Sequence, residues 1–329
     1  MHSPEPSAAA AQFCNFIGLS RAFEEVLDLL SRFACSKAPI LLSGETGTGK
    51  EQAAQAAHYL SGRRERPFVP VNCGAVPDTL LESELFGHSA GAFTGASHAR
   101  QGLVREADGG TLFLDEIEAL SGRGQGVLLR FLQDSEFRPL GEGRLRRADV
   151  RVIAASNVDL ARLVAAHEFR ADLMFRLNVL PITLPPLRDR PDDIEPLVSH
   201  LLVKVACSEG DHAKRISRPA LNALRAHSWP GNVRELEHVI LRAHLLSSEE
   251  CIGLEDLLKC SPALKPARLS KAPDPNWLRE QKVLAVREVE RRYVERALNL
   301  SNGNISEAAR LCNMERATLS KMAKKYRVS

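Results

Sequence analysis

The sequence predicts an α/β fold in which a parallel sheet presents a ligand site at the carboxyl ends of its strands. A glycine-rich loop follows the apolar run 40–42, and two carboxylates follow the apolar run 111–114. Short apolar runs alternate with helical patterns over the first part of the chain, which is typical of a parallel sheet covered by helices. Because the carboxyl ends of parallel strands share one edge of the sheet, the loop and the carboxylates are expected at that edge.

The individual elements follow from the spacing of apolar residues. In chain order we predict a disordered tail at 1–12, a helix at 15–38, a strand at 40–42, a helix at 51–59, a strand at 68–72, a helix at 76–86 with Asp78 as a possible cap and a break at Gly87, and strands at 111–116 and 150–157. Beyond Pro186 the pattern is helical to Leu258, apart from a break at 229–232, which predicts a smaller helical unit. Prolines within 259–277 predict an extended linker, and a final helical block follows to Tyr326.

Composition restricts the class of protein. The chain has 329 residues, of which 44% are apolar and 5% aromatic, as in a soluble globular protein with two or three compact units. Its seven cysteines are scattered and include no Cys-x-x-Cys pair, so neither a zinc site nor a disulfide framework is indicated. No apolar run reaches the ~20 residues of a membrane span and no export signal is visible, so a cytoplasmic location is expected.

Charge is distributed unevenly along the chain. Residues 259–329 carry 16 Lys and Arg residues against 7 Asp and Glu, whereas residues 1–258 carry 28 against 34. A basic end on an acidic body indicates that nucleic acid is bound by the C-terminal part. The alternative is a solvated basic face without a ligand.

The glycine-rich loop has the sequence form of a phosphate cradle. It consists of Gly44, Glu45, Thr46, Gly47, Thr48, Gly49 and Lys50. Glycines allow successive backbone N–H groups to converge on one anion, the following helix directs its positive end there, and the lysine adds a cation for the outer phosphates. The alternative is a glycine-rich turn without a ligand. Glu51 occupies the position where Ser or Thr usually holds magnesium, so metal binding depends on another motif.

The acidic pair Asp115-Glu116 supplies that motif, because it follows the loop by about 65 residues at the end of a predicted strand. Asp115 can hold Mg²⁺, directly or through water, and Glu116 can polarise a water in line with the terminal phosphate. An isolated acidic pair at a strand end would more often be a solvated turn. Together with the loop, it predicts hydrolysis of a nucleoside triphosphate.

Five motifs together resemble one protein family. They are Gly-Glu-Thr-Gly-Thr-Gly-Lys-Glu (44–51), Glu-Leu-Phe-Gly-His (84–88), Gly-Ala-Phe-Thr-Gly-Ala (91–96), Gly-Gly-Thr-Leu-Phe-Leu-Asp-Glu-Ile (109–117) and Trp-Pro-Gly-Asn-Val-Arg-Glu-Leu (229–236). This order resembles the bacterial enhancer-binding proteins, which are AAA+ ATPases that activate sigma-54 RNA polymerase. The resemblance implies an AAA+ P-loop NTPase domain at 13–258, divided into an α/β part (13–185) and a helical lid (186–258), with ATP and Mg²⁺ as ligands.

The hexad of Gly91, Ala92, Phe93, Thr94, Gly95 and Ala96 is expected on an exposed loop tip. Its glycines free the backbone, and Phe93 has no periodic apolar partners. The resemblance implies that this loop contacts sigma-54, with Phe93 and Thr94 as contact residues. Packing of Phe93 into the core is the alternative. Family members usually carry Glu-Lys just before the hexad, whereas Ser89-Ala90 stand here.

Further residue roles are implied by the resemblance alone. Asn72 corresponds to the asparagine that restrains the catalytic glutamate, Asn157 to the first sensor of the γ-phosphate, and Arg234 to the second sensor. Arg170 and Arg176 correspond to arginines that reach the neighbouring subunit's site, which implies a ring, a hexamer in the family. Six residues apart on one helix, they would point about 240° apart, so we expect only one to meet the phosphate.

The C-terminal block predicts a helix-turn-helix over 278–329. Asn304 and Glu307 form a possible capping box, and a second helix is predicted from Arg316 to Tyr326, with Leu319, Met322 and Tyr326 toward the core. Residues left for DNA phosphates and base edges are Arg316, Thr318, Ser320, Lys321 and Lys324. The block resembles the Fis-type domain, although Glu315 stands where a Ser or Thr cap is usual. An oligomerisation bundle is the alternative.

These features predict a sigma-54-dependent transcriptional activator that binds upstream DNA, forms a ring and remodels the polymerase closed complex with ATP. No sensing domain precedes residue 13, so control by a regulator protein acting in trans, by expression level or by the ring itself is expected. One alternative is a DNA-binding AAA+ repressor without sigma-54 contact, which the intact hexad and Glu116 disfavour. A general AAA+ unfoldase is the other, which the helix-turn-helix disfavours.

Overall fold

The computed structural model describes residues 15–93, 96–264, 290, 292–301 and 304–326. The chain divides into two compact units, residues 1–266 and 267–329. The predicted tail at 1–12 lies outside the described residues. Within the described ranges no helix is long and apolar enough to cross a bilayer.

Strands and helices alternate in the larger unit. In chain order its strands are β1 (Ile40–Ser43), β2 (Phe68–Asn72), β3 (Gly87–His88), β4 (Arg100–Gln101), β5 (Thr111–Asp115), β6 (Glu136–Phe137), β7 (Arg146–Arg147), β8 (Arg151–Ser156), β9 (Leu180–Thr183), β10 (Arg215–Ile216) and β11 (Cys251–Ile252). Its helices are α1 (Arg21–Ala34), α2 (Lys50–Tyr59), α3 (Asp78–Phe86), α4 (Leu103–Glu106), α5 (Gly122–Asp134), α6 (Leu160–Ala165), α7 (Ala171–Leu177), α8 (Ile194–Glu209), α9 (Arg218–Ala226), α10 (Asn232–Leu246) and α11 (Leu254–Cys260).

The main sheet is parallel, with strand order β2-β5-β8-β1-β9. Ser43 at the end of β1 pairs with Ser156 at the end of β8, and Asn72 pairs with Asp115 across β2 and β5. The segments that follow these strands therefore leave the sheet at one edge. This confirms the predicted parallel sheet and brings the glycine-rich loop and the carboxylates together.

Both faces of the sheet are covered by helices. Alternate strand residues such as Leu112 and Leu114 pack on one face with Leu128 of α5. Phe113 and its neighbours on the other face pack with Phe23 of α1. Continuous burial of the strands on both faces explains why β5 and β8 are apolar runs without alternation.

Several predicted elements are shorter in the structure, among them the strand predicted at 150–157, which is Arg151–Ser156. The helix predicted at 15–38 begins only at Arg21, because Ser20 caps it by accepting a hydrogen bond from the Phe23 N–H. Asp78 is the first residue of α3 and not its cap, which is Pro77. Strand β5 ends at Asp115, since Glu116 adopts left-handed backbone angles (φ 54°).

A second core belongs to the helical lid. Helices α8 to α11 pack around Trp229, Leu236 and other buried side chains. The predicted linker overlaps the lid at its start: Cys260 and Leu264 are buried in this core, so residues 259–264 are part of the lid. Residues 265–277, the rest of the predicted linker, lie outside the described residues.

The smaller unit is helical. It contains residues 292–300 (α12), α13 (Ile305–Leu311) and α14 (Arg316–Tyr326). The Asn304 half of the predicted capping box forms, since the Asn304 side chain accepts hydrogen bonds from the N–H groups of Ser306 and Glu307, whereas the Asn304 N–H donates to the Ser301 carbonyl and not to Glu307. Leu319 is fully buried and Met322 packs against the same core, as predicted, whereas the Tyr326 side chain lies outside the described structure.

Candidate active site

The loop between β1 and α2 has the backbone conformation of an anion cradle. Gly47 (φ 79°) and Gly49 (φ 102°) adopt left-handed angles that favour glycine. A side chain at Gly47 would also collide with the carbonyl oxygen of Gly231 in the lid. Gly49 is the N-cap of α2, so the positive end of that helix faces the loop.

Lys50 lies almost fully buried across this loop. Its Nζ donates hydrogen bonds to the carbonyl oxygens of Gly44 (2.7 Å) and Glu45 (3.0 Å) and to Oδ1 of Asn157. Burial lowers the pKa of Lys50, and the carboxylates of Asp115 and Glu118 oppose that shift. The ammonium is therefore held where phosphate oxygens could replace the carbonyls as its partners.

The acidic pair lies beside the loop, with Asn72 as a neighbour. Oδ1 of Asp115 accepts a hydrogen bond from the Glu116 N–H (3.0 Å), which turns the Glu116 backbone out of the strand. A Cβ on Gly74 would lie 2.8 Å from Oε2 of Glu116 and 3.3 Å from Oδ1 of Asn72, so both side chains border this glycine. Asn72 accepts hydrogen bonds from the N–H groups of Gly74 and Ala75, and the described residues show no bond between Asn72 and Glu116.

The donor set fits a magnesium ion that also binds phosphate. Mg²⁺ prefers oxygen ligands and is usually held by one or two carboxylates together with substrate phosphates. Asp115 and Glu116 supply carboxylates next to the phosphate loop. Among the described residues no group of three or more His, Cys, Asp or Glu that could hold a metal is found.

A cavity of about 420 Å³ adjoins these groups, within the 300–1,000 Å³ range of small-molecule sites. Residues 46–52 line one wall, which includes Glu51. Apolar side chains of Phe16, Ile17 and Leu201 line another part. Gly44 and Glu45 line a neighbouring cavity of about 410 Å³ instead. The main cavity thus joins a polar phosphate end to an apolar end.

The lid contacts the phosphate loop directly. Asn232, fully buried, donates from Nδ2 to Oε2 of Glu45 (3.2 Å) and to the Thr46 carbonyl (3.0 Å), and its Oδ1 accepts the Leu187 N–H (2.7 Å). The Val233 N–H donates to the Gly47 carbonyl (2.9 Å). The loop conformation is therefore tied to the position of the lid.

The Glu45 carboxylate also accepts both Nη groups of Arg188, at 2.7 and 2.8 Å. These bonds, followed by the one from Asn232, lower the pKa of Glu45 from 4.5 to about 2. Because the folded pKa is depressed, the stabilisation is present above pH 4.5 and is lost as the pH falls through about 2. The contact between Glu45 and Arg188 is therefore intact at neutral pH.

An Asn232→Ala variant is expected to weaken ATP binding about tenfold, because the loop loses the contacts that fix Glu45 and Thr46, each worth about 0.5–1.5 kcal/mol. Titration of a fluorescent ATP analogue measures the change. Asn232 has φ 51°, a conformation that costs a residue with a Cβ about 1–2 kcal/mol. An Asn232→Gly variant should therefore unfold at higher denaturant than the Ala variant while showing the same loss of affinity. Wild-type affinity in both variants would contradict the contact's role.

The predicted sensor residues lie at the main cavity, whereas the two arginines predicted to reach a neighbouring subunit's site do not. Asn157 and Arg234 line it. Arg170 is the N-cap of α7 and forms an ion pair with Asp172. Arg176 donates a hydrogen bond to the Leu132 carbonyl and lines a different cavity, which Pro39 also lines. The prediction that both arginines lie on one helix is wrong, because Arg170 has extended backbone angles. Neither arginine lines the cavity next to the phosphate loop of its own chain.

Sequence patterns missed three residues of this site. Oε1 of Glu118 accepts the Asn157 N–H (2.9 Å), and Arg190, itself buried, donates to the Thr48 carbonyl (2.8 Å). Arg188, described above, is the third. Glu118 stands only two residues after Glu116, so its position was a usable signal. The arginines gave none, because their partners are more than 140 residues away.

The described residues of the hexad, Gly91, Ala92, Phe93 and Ala96, lie between β3 and β4, which pair as a short hairpin. Phe93 is 39% exposed and its ring meets the His88 ring edge-on at 5.1 Å. The Gly91 N–H donates to the Ala96 carbonyl (2.8 Å), and Ala92 is half-buried. Thr94 and Gly95 lie outside the described residues. Phe93 is thus on a loop and not in the core, which excludes the alternative of core packing.

In the smaller unit, the predicted DNA-contacting residues lie on α14. Arg316, Thr318, Lys321 and Lys324 are exposed, and Ser320 is half-buried. The Glu315 carbonyl accepts the N–H groups of Thr318 and Leu319, so Glu315 occupies the start of the helix.

Family models match the chain in three successive regions. A sigma-54 interaction domain matches residues 16–183, an AAA+ ATPase lid domain matches residues 188–270, and a bacterial regulatory protein of the Fis family matches residues 285–326.

Individual proteins match most of the chain. The phenol regulator MopR of Acinetobacter guillouiae is 42% identical over 315 residues, which cover 94% of this chain and 56% of MopR. The chain thus spans little more than half of that relative. The transcriptional regulatory protein ZraR of Escherichia coli K12 is 42% identical over 314 residues, or 95% of this chain and 69% of ZraR. A crystal structure of NtrX from Brucella abortus in complex with ATP matches with a TM-score of 0.68 and 32% identity, covering 94% of this chain and 68% of NtrX.

Proposed function

The chain belongs to the AAA+ family that carries a sigma-54 interaction domain, and from this membership we propose that it uses ATP hydrolysis to activate transcription by sigma-54 RNA polymerase. One observation carries the proposal: a phosphate loop that faces Asp115 and Glu116 lies in the same compact unit as a glycine-flanked loop that exposes Phe93. The phosphate loop with the two carboxylates can hydrolyse a nucleotide, and the loop that exposes Phe93 can bind a partner protein.

In the proposed reaction, the loop amides from Thr46 to Lys50 bind the phosphates of ATP, and the Lys50 ammonium moves from backbone carbonyls to phosphate oxygens. Asp115 would hold Mg²⁺, which when bound would neutralise charge on the transferring phosphoryl group. Glu116 orients and polarises the attacking water. Asn72, which borders Gly74 together with Glu116, restrains the Glu116 side chain until the nucleotide is in the state that is hydrolysed. The crystal structure of the related NtrX in complex with ATP supports the proposal that the bound nucleotide is ATP.

Two sensor roles and a ring complete the ATPase proposal. Asn157, which follows β8, senses the γ-phosphate, and Arg234 reports the nucleotide from the lid. Arg170 or Arg176 completes the site of a neighbouring subunit, where a guanidinium stabilises transition-state charge. Support comes from their positions away from their own chain's cavity. Hydrolysis therefore requires a ring, which we propose to be a hexamer.

The smaller unit is proposed to bind upstream DNA through α14. Lys and Arg contacts to phosphates supply most of the affinity of such a helix, and Thr318 and Ser320 can contact base edges. The exposed cations Arg316, Lys321 and Lys324 support this proposal. Glu315 reduces the positive potential at the start of the helix.

A Phe93→Ala variant is expected to retain ATPase activity within about twofold and to lose at least about tenfold of open-complex formation, since the partner contact loses an exposed aromatic anchor of the kind that dominates interfaces. The measurement is permanganate footprinting of a sigma-54 promoter with purified holoenzyme. Leu246→Ala is the matched control, because Leu246 is also exposed (63%) but lies at the end of α10 in the lid. Full activity of the Phe93 variant would refute the loop assignment.

Open-complex formation with wild-type protein tests the proposed function as a whole. We expect open complexes with hydrolysable ATP and none with a non-hydrolysable analogue. Protein that binds its DNA site and lowers transcription, with no open complexes under either condition, would instead be a repressor and would refute the proposal.

A further inference from the structure

Glu118 joins the ends of two strands at the candidate active site. It lies in the 3₁₀ turn Ile117–Ala119, after Glu116. Its Oε1 accepts the backbone N–H of Asn157 at 2.9 Å, and Oδ1 of Asn157 accepts a hydrogen bond from Lys50. We propose that Glu118 is a positioning residue that fixes Asn157, and through it Lys50, so that the site distinguishes ATP from ADP. The inference rests on the proposed ATPase function.

The connectivity of the sheet gives this contact its importance. Glu118 follows β5, Asn157 follows β8, and the Lys50 loop follows β1, and these strands are adjacent in the order β5-β8-β1. Two successive hydrogen bonds therefore span three strand ends. A bond to a carboxylate is roughly twice as strong as one between neutral groups, so Glu118 can hold the backbone of a residue that has just left its strand.

The second oxygen of the Glu118 carboxylate carries a cost in stability. Oε2 of Glu118 is buried and makes no hydrogen bond within the described structure. An unpaired buried polar atom costs free energy, more so on a charged group. The carboxylates of Asp115 and Glu116 act on Lys50 together with Glu118, so the unpaired oxygen belongs to the group of charges around the Lys50 ammonium. An unfavourable group at a site is typical of a residue kept for function.

Two substitutions separate positioning from stability. Glu118→Ala removes the acceptor, and we expect kcat to fall about 10–100-fold, the usual effect of losing an outer-shell partner, and KM for ATP to rise by a similar factor while the affinity for ADP stays unchanged. The preference for ATP over ADP, measured by competition against a fluorescent nucleotide, should fall by the same order. The melting temperature should not decrease. Glu118→Gln keeps an acceptor oxygen and should recover most of the wild-type kcat.

The control is Glu106→Ala, which removes an exposed carboxylate from α4 and should change none of these quantities. Wild-type kcat and nucleotide preference in the Ala variant would overturn the inference. A Gln variant as impaired as the Ala variant, or a loss of melting temperature parallel to the loss of kcat, would also overturn it. If wild-type protein hydrolyses no ATP, the ATPase proposal fails, and the ATP-to-ADP preference of the three variants still decides the role of Glu118.

Discussion

A Glu116→Gln variant is expected to bind ATP with near wild-type affinity and to hydrolyse it about 10²–10⁴-fold more slowly, the usual contribution of a general base. Glutamine is isosteric but cannot accept a proton from the attacking water. The Glu116 side chain borders Gly74, and its backbone adopts left-handed angles after the strand ends. Neither feature depends on the charge of the side chain. Phosphate release under saturating ATP, with affinity measured by fluorescence titration, separates the two effects.

The matched control for this experiment is Glu106→Gln, the same chemical change at an exposed carboxylate in α4. It should leave turnover unchanged. Retained turnover in the Glu116 variant would remove Glu116 from the reaction. Loss of ATP binding would instead show that its carboxylate supports the ligand and not the chemistry.

The largest loss of stability is expected from Arg151→Met. Arg151 is the first residue of β8 and is only 1% exposed. Its guanidinium donates to the carbonyl oxygens of Phe33 and Ala34 (both 2.8 Å), in the last turn of α1, and to that of Ala57 (3.4 Å), in the last turn of α2. One cation thus binds the negative ends of two helices. Burial lowers the pKa of Arg151 to about 10, which reflects a desolvation cost that these carbonyls offset.

Methionine fills a similar volume but donates no hydrogen bond, so the carbonyls of Ala34 and Ala57 would lose this donor, whereas the Phe33 carbonyl keeps its bonds from the Cys35 and Ser36 N–H groups. At about 1–3 kcal/mol for each buried unsatisfied group, the free energy of unfolding should fall by about 2–5 kcal/mol. Urea unfolding measures it. Arg162→Met, at a side chain that is 89% exposed, should change it by less than about 0.5 kcal/mol. Equal stability of both variants would contradict the capping role.

Much of the fold and the centre of the site could be predicted from the sequence. The glycine-rich loop and the pair Asp115-Glu116 are local patterns, and the parallel sheet places them at one edge because all its strands leave in the same direction. The helix boundary at 15–38 was wrong because Ile17 and Leu19 fit a helical spacing. In the structure Ile17 packs on the lid core and the Leu19 N–H donates to Asp193.

Contacts between distant segments could not be predicted. The bonds of Glu45 with Arg188 and Asn232 join residues 143 and 187 positions apart, and no periodicity or motif indicates such a pair. The directions of the Arg170 and Arg176 side chains depend on the residue at which α7 begins. Apolar spacing alone does not determine that residue to within one position.

The segment before α1 connects the nucleotide cavity to both cores of the larger unit. Phe16 packs in the sheet-side core and Ile17 against the lid core, while the buried carboxylate of Asp193 accepts both N–H groups of Leu19 and Ser20 (2.6 Å each). A rotation of the lid would therefore pull one wall of the apolar end of the cavity with it. Because Phe16 and Ile17 line the cavity together with Leu201 of the lid, a change in the position of the lid would change the shape of the cavity at that end.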